Sequence, residues 1–447
     1  MEEIKHRSDP QPNLGGLSEF DEIRPYEPEE MKQAFEDLLN DRQFNVIMKG
    51  FAPWLPKGVR NGLLRLAFVG VKTPLDFQLR FMKPVVKHII RKYTDGCTFD
   101  DRLLTENLEL RTERYDNSQG QNSCAKGNHT SQFSTLSSQL EERYTFVSNH
   151  RDIVLDSAFL DVKLVENGYP TTVEIGIGDN LLIYPWIKRL VRMNKAFTVR
   201  RGLSLRETLA ASQLMSRYIH FAVTQKKENI WIAQREGRAK DSNDRTQDAV
   251  LKMLAMGGDL KELNIVPLTI SYEYDPCDYL KAQEFQQKRD NPAFKKSRQD
   301  DLDNMKTGIF GYKGRVHYHC AAPINTWLDE LKDLPRNEFF PAVSQRIDSE
   351  LHRNYRLYPC NYIALDMLTE YSKGNHNSQF STLNSQFSQH YTQADVDRFE
   401  QYLQGQLAKI NIPNKDEAFL RERMLTMYAN PLRNNLRVKS ASLVKSE

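Results

Sequence analysis

The chain has 447 residues, of which 39% are hydrophobic, and its formal net charge at pH 7 is +3. This composition indicates a globular protein with a sizeable core, divided into one large domain or two to three smaller ones. The longest nearly apolar run, residues 62–71, contains Arg65 and falls short of the ~20 residues that cross a bilayer, so the sequence predicts no membrane-spanning helix.

The chain begins with a polar segment and continues into a helical region. Residues 1–24 contain few apolar side chains and are predicted to be a disordered tail. Residues 25–110 are predicted to form an N-terminal helical region. Its first helix starts near Pro28, with glutamates in the first turn as the helix dipole favours, and continues to about Met48.

Residues 49–93 combine ten cations with a single acid, Asp76, and aromatic and aliphatic residues separate the cations. This mixture is typical of helices in the headgroup region of an anionic membrane. It is equally typical of a helical hairpin that packs its apolar face on the rest of the protein. No nucleic-acid-binding motif is present, so we expect no nucleic-acid partner. The cations are Lys49, Lys57, Arg60, Arg65, Lys72, Arg80, Lys83, Lys87, Arg91 and Lys92.

Two polar inserts have nearly the same sequence. KGNHTSQFSTLSSQ at residues 126–139 returns as KGNHNSQFSTLNSQ at residues 373–386. Both are rich in Ser, Asn and Gln and have too few apolar residues to support a core. We therefore predict disordered inserts over residues 116–140 and 372–391.

The region between the inserts alternates short apolar strands with helical stretches. Residues 141–330 are predicted to form an α/β domain, with a mixed central sheet flanked by helices. Its clearest strand is predicted over residues 264–274. A C-terminal helical region follows over residues 331–371, and residues 392–447 are predicted to form two further helices and a basic polar tail.

The sequence favours a reducing compartment and predicts no metal site. The five cysteines lie far apart without a CxxC pair, which favours free thiols over disulfides or zinc. His317 and His319 share one face of a predicted strand over residues 315–320, but the sequence identifies no third ligand. The charged N-terminus lacks the apolar core of an export signal, so we expect a cytoplasmic protein.

A strand over residues 144–148 runs into a helical pattern that starts at Ile153. His150 lies at this junction, and open α/β sheets place chemistry at the carboxyl ends of their strands. Asp152 suits the N-cap of the helix, which places Asp156 in the first turn, facing back toward His150. A histidine held by a carboxylate can take a proton from a hydroxyl. The alternative is an ordinary capped helix beside a solvent-facing histidine.

Four sequence blocks follow one another in order: SNHRDIVLDS at 148–157, GDNLLIYPWIKRLVRMNKAFTVRRG at 178–202, WIAQREGRAKD at 231–241 and IVPLTISYEYDP at 265–276. In these blocks the chain resembles the glycerolipid acyltransferase family, whose members acylate glycerol-3-phosphate and 1-acylglycerol-3-phosphate (lysophosphatidate). The resemblance covers about residues 144–276. GDNLL and AFTVRRG are similar to the branch that acylates glycerol-3-phosphate.

The resemblance implies that His150 is a general base oriented by Asp156. The family's acid usually comes five positions after the histidine, and here it comes at six, which leaves Asp152 as an alternative partner. The family's arginine usually comes three positions after the glutamate, whereas here Arg238 comes at two and Lys240 at four, so either cation could take the phosphate. The implied substrate-binding residues are Phe197, Arg200, Glu236, Gly237, Arg238, Lys240 and Pro267.

The resemblance implies an O-acyltransferase of phospholipid biosynthesis that binds no cofactor. The donor would be acyl-carrier protein or acyl-CoA, the acceptor lysophosphatidate or glycerol-3-phosphate, and transfer would be direct, without an acyl-enzyme. No GxSxG motif occurs, which argues against an α/β-hydrolase thioesterase. We expect the enzyme to be peripheral on the inner face of the cell membrane. The alternatives are a different lysolipid or an amino-acid-derived lipid as acceptor, or a catalytically silent membrane-binding protein.

Overall fold

A computed structural model of the protein describes residues 18–51, 53–104, 142–372 and 386–444. In these ranges, seven strands form one mixed sheet with the spatial order β1-β7-β6-β2-β5-β3-β4, which confirms the predicted α/β class. The strands are β1 Cys97–Asp100, β2 Thr145–Ser148, β3 Val173–Gly178, β4 Ala196–Val199, β5 Asn229–Ala233, β6 Ile265–Tyr272 and β7 Val316–Cys320.

Five neighbouring strands of the sheet are parallel, and the other two run in the opposite direction. Strands β6, β2, β5, β3 and β4 are parallel, β7 is antiparallel to β6, and β1 is parallel to β7. The carboxyl ends of the five parallel strands therefore share one edge of the sheet. Strand β2 lies in the interior of this group, and all four of its residues are buried.

Fifteen α-helices lie in the described ranges. The first seven are α1 Pro28–Asn40, α2 Arg42–Phe51, α3 Lys57–Phe68, α4 Pro74–Phe77, α5 Lys83–Tyr93, α6 Leu155–Glu166 and α7 Pro185–Met193. The others are α8 Leu205–Thr224, α9 Asp248–Leu254, α10 Asp278–Asp290, α11 Arg298–Phe310, α12 Arg336–Arg353, α13 Pro359–Ser372, α14 Gln393–Leu407 and α15 Glu417–Val444.

The first predicted helix is divided in two at Asp41. The Asp41 backbone is extended, and its carboxylate accepts hydrogen bonds from the N–H groups of Gln43 (2.9 Å) and Phe44 (3.0 Å). Asp41 thus caps α2, because these N–H groups have no partner inside the helix.

Helices cover both faces of the sheet. On β2, Phe146 packs on one face with α5 and α6, and Val147 packs on the other with α8, α9 and α12. A third apolar cluster joins α10, α13, α14 and α15, and a fourth joins α1, α3, α4 and α7. Helix α5 of the region 25–110 and helix α12 of the region 331–371 therefore pack on the sheet, and the first of these regions also supplies β1.

The predicted disordered tail is wrong for its last residues. Phe20 and Ile23 are 5% and 3% exposed and belong to the apolar core. The Ile23 carbonyl accepts a hydrogen bond from the Thr198 N–H (2.8 Å) on the edge strand β4. The segment is ordered because it covers an otherwise open edge of the sheet. Residues 1–17 lie outside the described residues.

The second insert is also shorter than predicted. Tyr391 is buried, and its hydroxyl donates to Asp366 Oδ2 at 2.8 Å, so the predicted disorder of residues 386–391 is wrong. The first insert, 116–140, and residues 373–385 lie outside the described residues.

The predicted basic polar tail at the C-terminus is largely helical instead, because α15 continues to Val444. Ala429 and Leu432 are almost fully buried, and they anchor this part of the helix on the neighbouring elements. None of the helices in the described ranges has both the length and the apolar character of a bilayer span.

We expect Phe159→Ala to lower the free energy of unfolding by about 3–5 kcal/mol, because this side chain is fully buried on α6 and its removal leaves a cavity. Phe310→Ala is the matched control, since Phe310 is 44% exposed and has its ring contact with Tyr93. It should cost at most about 1.5 kcal/mol. Urea denaturation measures both, and equal losses would contradict the core assignment.

Candidate active site

A short loop at the centre of the sheet's carboxyl edge carries His150. Strand β2 ends at Ser148, and α6 begins at Leu155, two residues later than Ile153. The helix starts later than predicted because Asp152 Oδ1 accepts hydrogen bonds from the N–H groups of Val154 (2.9 Å) and Leu155 (2.8 Å). This Asx-type turn directs the chain into the helix.

His150 is hydrogen-bonded to Asp156, with 2.8 Å between Nδ1 and Oδ2. The same carboxylate oxygen accepts the backbone N–H groups of Arg151 (2.6 Å) and Asp152 (3.1 Å). An ionised carboxylate only accepts hydrogen bonds, so the Nδ1 nitrogen carries the proton. The Nε2 nitrogen is therefore free to act as a base.

The ring of His150 is also held from the side. Its side chain is 13% exposed, and the ring contacts Trp231 edge-on, with 5.4 Å between ring centroids. The indole is itself fixed, because Trp231 Nε1 donates to Ser148 Oγ at 3.0 Å. The imidazole is thus oriented by a hydrogen bond and by a packed aromatic ring.

The structure distinguishes the two candidate carboxylates. Asp156 contacts His150, whereas the described hydrogen bonds of Asp152 go to the backbone of the turn. Burial and the neighbouring Asp156 charge raise the pKa of Asp152. Its other oxygen lies against Gly308 of α11, where a Cβ atom would not fit. Asp152 is therefore a structural residue of the turn, and Asp156 is the partner of the histidine.

Two of the predicted substrate-binding residues lie in the core. Phe197 is 1% exposed on β4, and its ring packs on Tyr218 with 5.6 Å between centroids. Pro267 is buried on β6 opposite Val147, and its carbonyl accepts the Ala321 N–H at 3.0 Å. The prediction that these two side chains contact substrate is not met in this structure, since neither reaches the open edge of the sheet.

Arg200 and Glu236 occupy exposed positions. Arg200 follows β4, forms an ion pair with Glu22 and is separated from β2 by β5 and β3. With strands ~4.8 Å apart, β4 lies about 14 Å from β2. Glu236 is 71% exposed, and its carboxylate lies 3.4 Å from Arg201 Nη1. Gly237 has φ +66°, which permits the tight turn after β5.

The two candidate phosphate ligands differ in what they already bind. Both follow β5, which pairs directly with β2. Arg238 Nη2 donates to Asn304 Oδ1 at 3.1 Å, while its Nη1 is buried without a hydrogen-bond partner in the described parts of the chain. Lys240 forms an ion pair with Glu284, and burial lowers the pKa of Lys240 to about 8. Arg238 therefore has a guanidinium nitrogen that no described residue binds, whereas the Lys240 ammonium is held by a carboxylate.

Three contacts at the site were not anticipated: Trp231 against His150, Asn304 beside Arg238, and Gly308 beside Asp152. Trp231 is the first residue of one of the four sequence blocks, so the sequence already marked it as a residue near the site. Asn304 and Gly308 come from α11, outside every block, and no local pattern marked them.

The paired histidines of β7 contact the neighbouring strand. His317 Nδ1 lies 2.7 Å from Thr98 Oγ1, and His319 Nδ1 lies 3.4 Å from Asp100 Oδ2. Burial and the nearby His319 lower the pKa of His317 to about 4, so it is neutral at neutral pH. In the described portion, no three His, Cys, Asp or Glu side chains are grouped as metal ligands would be.

No protein-family model matches the chain. No curated protein matches it either.

We expect Glu284→Gln to lower the pKa of Lys240 below its value of about 8, because the carboxylate that stabilises the ammonium is lost while Lys288 and Lys296 remain nearby. An NMR titration of ¹³C-methylated lysines measures this pKa. Glu417→Gln is the control, since Glu417 pairs with Lys415 instead. A Lys240 pKa that is unchanged or raised in Glu284→Gln would refute the assignment.

Proposed function

We propose that the protein is an O-acyltransferase of phospholipid biosynthesis. It transfers a fatty acyl group from acyl-carrier protein or acyl-CoA to the hydroxyl of lysophosphatidate or glycerol-3-phosphate. The observation that carries the proposal is the His150–Asp156 pair at the carboxyl end of β2. The sequence resemblance over residues 144–276 supplies the reaction class, and the pair supplies a base suited to that reaction.

The proposed reaction is a direct transfer. His150 Nε2 takes the proton of the acceptor hydroxyl as the hydroxyl oxygen attacks the thioester carbonyl carbon. Asp156 keeps the Nδ1 proton in place and stabilises the imidazolium that forms. The C–S bond then breaks, and the departing thiolate receives the proton from His150. The products are the ester and the free thiol of the donor.

The cysteines of the described ranges support a route without an acyl-enzyme. Cys97, Cys277, Cys320 and Cys360 are all buried. Burial raises the pKa of Cys97 and of Cys277 to about 12, so neither is a thiolate at neutral pH. A buried neutral thiol is a poor nucleophile.

We assign the phosphate of the acceptor to Arg238. Its guanidinium retains an unpaired Nη1, and it follows the strand next to β2. The planar fork of an arginine can meet two phosphate oxygens, which favours it over a lysine. Lys240 is held by Glu284 and would add positive charge behind this contact.

We further propose that the enzyme works at the cytoplasmic face of the cell membrane and contacts it through α2 and α3. The basic stretch divides into two parts in the fold. Helix α5 buries Val86 and Ile89 against the sheet and α6, and its Lys87 pairs with Glu166 at 3.0 Å. The α2–α3 face instead exposes large apolar side chains: Val46, Ile47, Trp54, Val59, Leu63, Leu66 and Val69.

Cations surround this α2–α3 face. Arg42, Lys49 and Lys57 line a groove of about 610 Å³ together with Trp54, which is 76% exposed. An exposed indole and aliphatic side chains next to lysines suit the headgroup region of an anionic bilayer, where apolar burial and Coulomb attraction add. The membrane is the partner that matches both properties.

Purified His150→Ala should lose turnover by ~10²–10⁴-fold while folding normally, because it removes the general base. The assay offers acyl-CoA and acyl-carrier protein donors with a panel of lysophosphatidate, glycerol-3-phosphate, other lysolipids and amino-acid-derived lipids. Asp156→Asn should depress turnover much more than Asp152→Asn, since an Asn can still cap the turn. Wild-type turnover in His150→Ala, or no transfer to any acceptor by the native protein, would refute the proposal.

The triple variant Lys49→Gln, Trp54→Ala, Lys57→Gln should bind anionic vesicles at least about 10-fold more weakly, because each cation near the surface contributes ~1 kcal/mol. The matched control Lys83→Gln, Lys87→Gln, Arg91→Gln, Lys92→Gln changes four cations of the packed helix and should bind nearly as the native protein does. Vesicle sedimentation at low and high salt measures both. If only the control lost vesicle binding, the membrane contact would lie on α5 and not on α2 and α3.

A further inference from the structure

One buried carboxylate joins the residues on both sides of His150. Asp244 lies in the segment after β5, and its side chain is 1% exposed. Its Oδ2 accepts hydrogen bonds from Arg151 Nη2 (2.6 Å), Tyr355 Oη (2.5 Å) and Asn149 Nδ2 (3.4 Å). Its backbone carbonyl lies 2.9 Å from Nε2 of His352 on α12. Asp244 is therefore tied to α12, to the segment after it and to the histidine loop.

Of the two neighbours of His150, Asn149 is also fixed to the sheet and Arg151 packs against Tyr355. Asn149 donates to the Ile270 carbonyl (2.9 Å) and accepts the Ile270 N–H (2.8 Å), so its side chain continues the ladder of β6. Arg151 is 6% exposed, with its guanidinium 5.9 Å from the centre of the Tyr355 ring. With Asp244 in place, the backbone on either side of His150 has little freedom to move.

The surroundings show what the loss of this carboxylate would do. A cavity of about 30 Å³ borders Arg151 and Tyr355, which is space for about one water molecule. An Arg151 side chain released from Asp244 has room to shift toward it. Arg151 would also become a buried cation without its counter-ion, next to the imidazole that must become positively charged.

Several other charges surround His150 and stay unchanged when Asp244 is altered. Asp156 is bonded to the ring itself, Asp275 acts on the neighbouring Arg151, and Lys313 acts on Asp152 of the same turn. The Arg151–Asp244 pair is neutral as a unit, so it does not oppose the imidazolium that Asp156 stabilises.

We propose that Asp244 is a positioning residue, which locks Asn149 and Arg151 so that Nε2 of His150 meets the acceptor hydroxyl in a fixed position. This inference rests on the proposed function. A displacement of about 1 Å in a catalytic group costs about 10²-fold in rate, so a rigid loop matters as much as the identity of the base. Asp244 does not touch the substrate in this scheme.

The test compares Asp244→Asn with Asp161→Asn. Asp161 is also a buried carboxylate, but it bonds Val173 and Gln78 away from the histidine loop. Asp244→Asn should lower kcat by about 10–100-fold with little change in acceptor KM, because the base is less well positioned. The acid limb of its pH profile of kcat/KM should move to lower pH, because a negative charge near His150 is lost. Asp161→Asn should leave kcat and the acid limb unchanged.

Two further variants extend the test, and Tyr355→Phe serves on its own if Asp244→Asn folds poorly. Tyr355→Phe removes one donor to the carboxylate and should lower kcat in the same direction by a smaller factor. Adding Arg151→Met to Asp244→Asn removes the unpaired cation, so the acid limb should return toward that of the native protein while kcat stays low. Native kcat and an unmoved acid limb in both Asp244→Asn and Tyr355→Phe would overturn the inference.

The NMR signals of the His150 ring supply a readout that does not require turnover. Asp244→Asn should change the chemical shifts of this ring even in the resting protein, because Asn149 and Arg151 on either side of it lose their shared partner. A native protein that acylates no acceptor would end the proposed function, whereas an active native protein with unchanged His150 ring shifts in Asp244→Asn would end this inference alone.

Discussion

The Asp156 carboxylate is fully buried, and the loop that carries His150 is shaped around it. A buried carboxylate is costly unless donors replace the water that it loses. Asp156 Oδ2 receives three of them, from the His150 ring and from the backbone of Arg151 and Asp152. The chain can supply these donors only by turning sharply between β2 and α6. The bonds that make the burial of Asp156 tolerable therefore also orient the imidazole.

The sheet determines what can reach this loop. Because β2 lies between β5 and β6, the segments after those two strands lie beside His150, and they carry Arg238 and Asp275. Arg200 follows β4, at the edge of the sheet, and pairs with Glu22 there. The four sequence blocks are equally prominent in the sequence, yet their side chains have different positions. Some build the His150 loop, some fill the core, and Arg238 has one buried nitrogen without a partner in the described residues.

The basic stretch at residues 49–93 shows what amino-acid composition can and cannot predict about a helix. Its pattern is typical both of a membrane-facing helix and of a packed hairpin, and the fold buries the apolar face of one part and leaves apolar side chains of another part exposed. Helix α5 meets the apolar face of α6 and buries Val86 and Ile89. Helices α2 and α3 leave Trp54 and Leu66 exposed. Amphipathic spacing reports that a helix has an apolar face, while the neighbouring elements decide whether that face is covered.

Sequence patterns were enough to predict the α/β class, the strand that ends before His150, the helix of Asp156, and amphipathic helices such as α14. These features depend on periodicity over a few residues, which a linear pattern records. Sequence patterns did not predict that Ile23 is ordered and buried, because its partner Thr198 lies on the distant edge strand β4. They also did not predict that α15 continues to Val444, where buried side chains anchor the helix.

Tertiary contacts distinguish Asp156, which binds the His150 ring, from Asp152, which binds the turn, and they give Arg238 and Lys240 different partners. Asn304, which binds Arg238, and Glu284, which binds Lys240, come from helices beyond the sequence blocks. Asp244 likewise joins Arg151 across 93 positions of the chain. Contacts between distant segments are set by the strand order and by the packing of α10, α11 and α12. No local pattern records them, because each segment has the same local preferences whichever partner it meets.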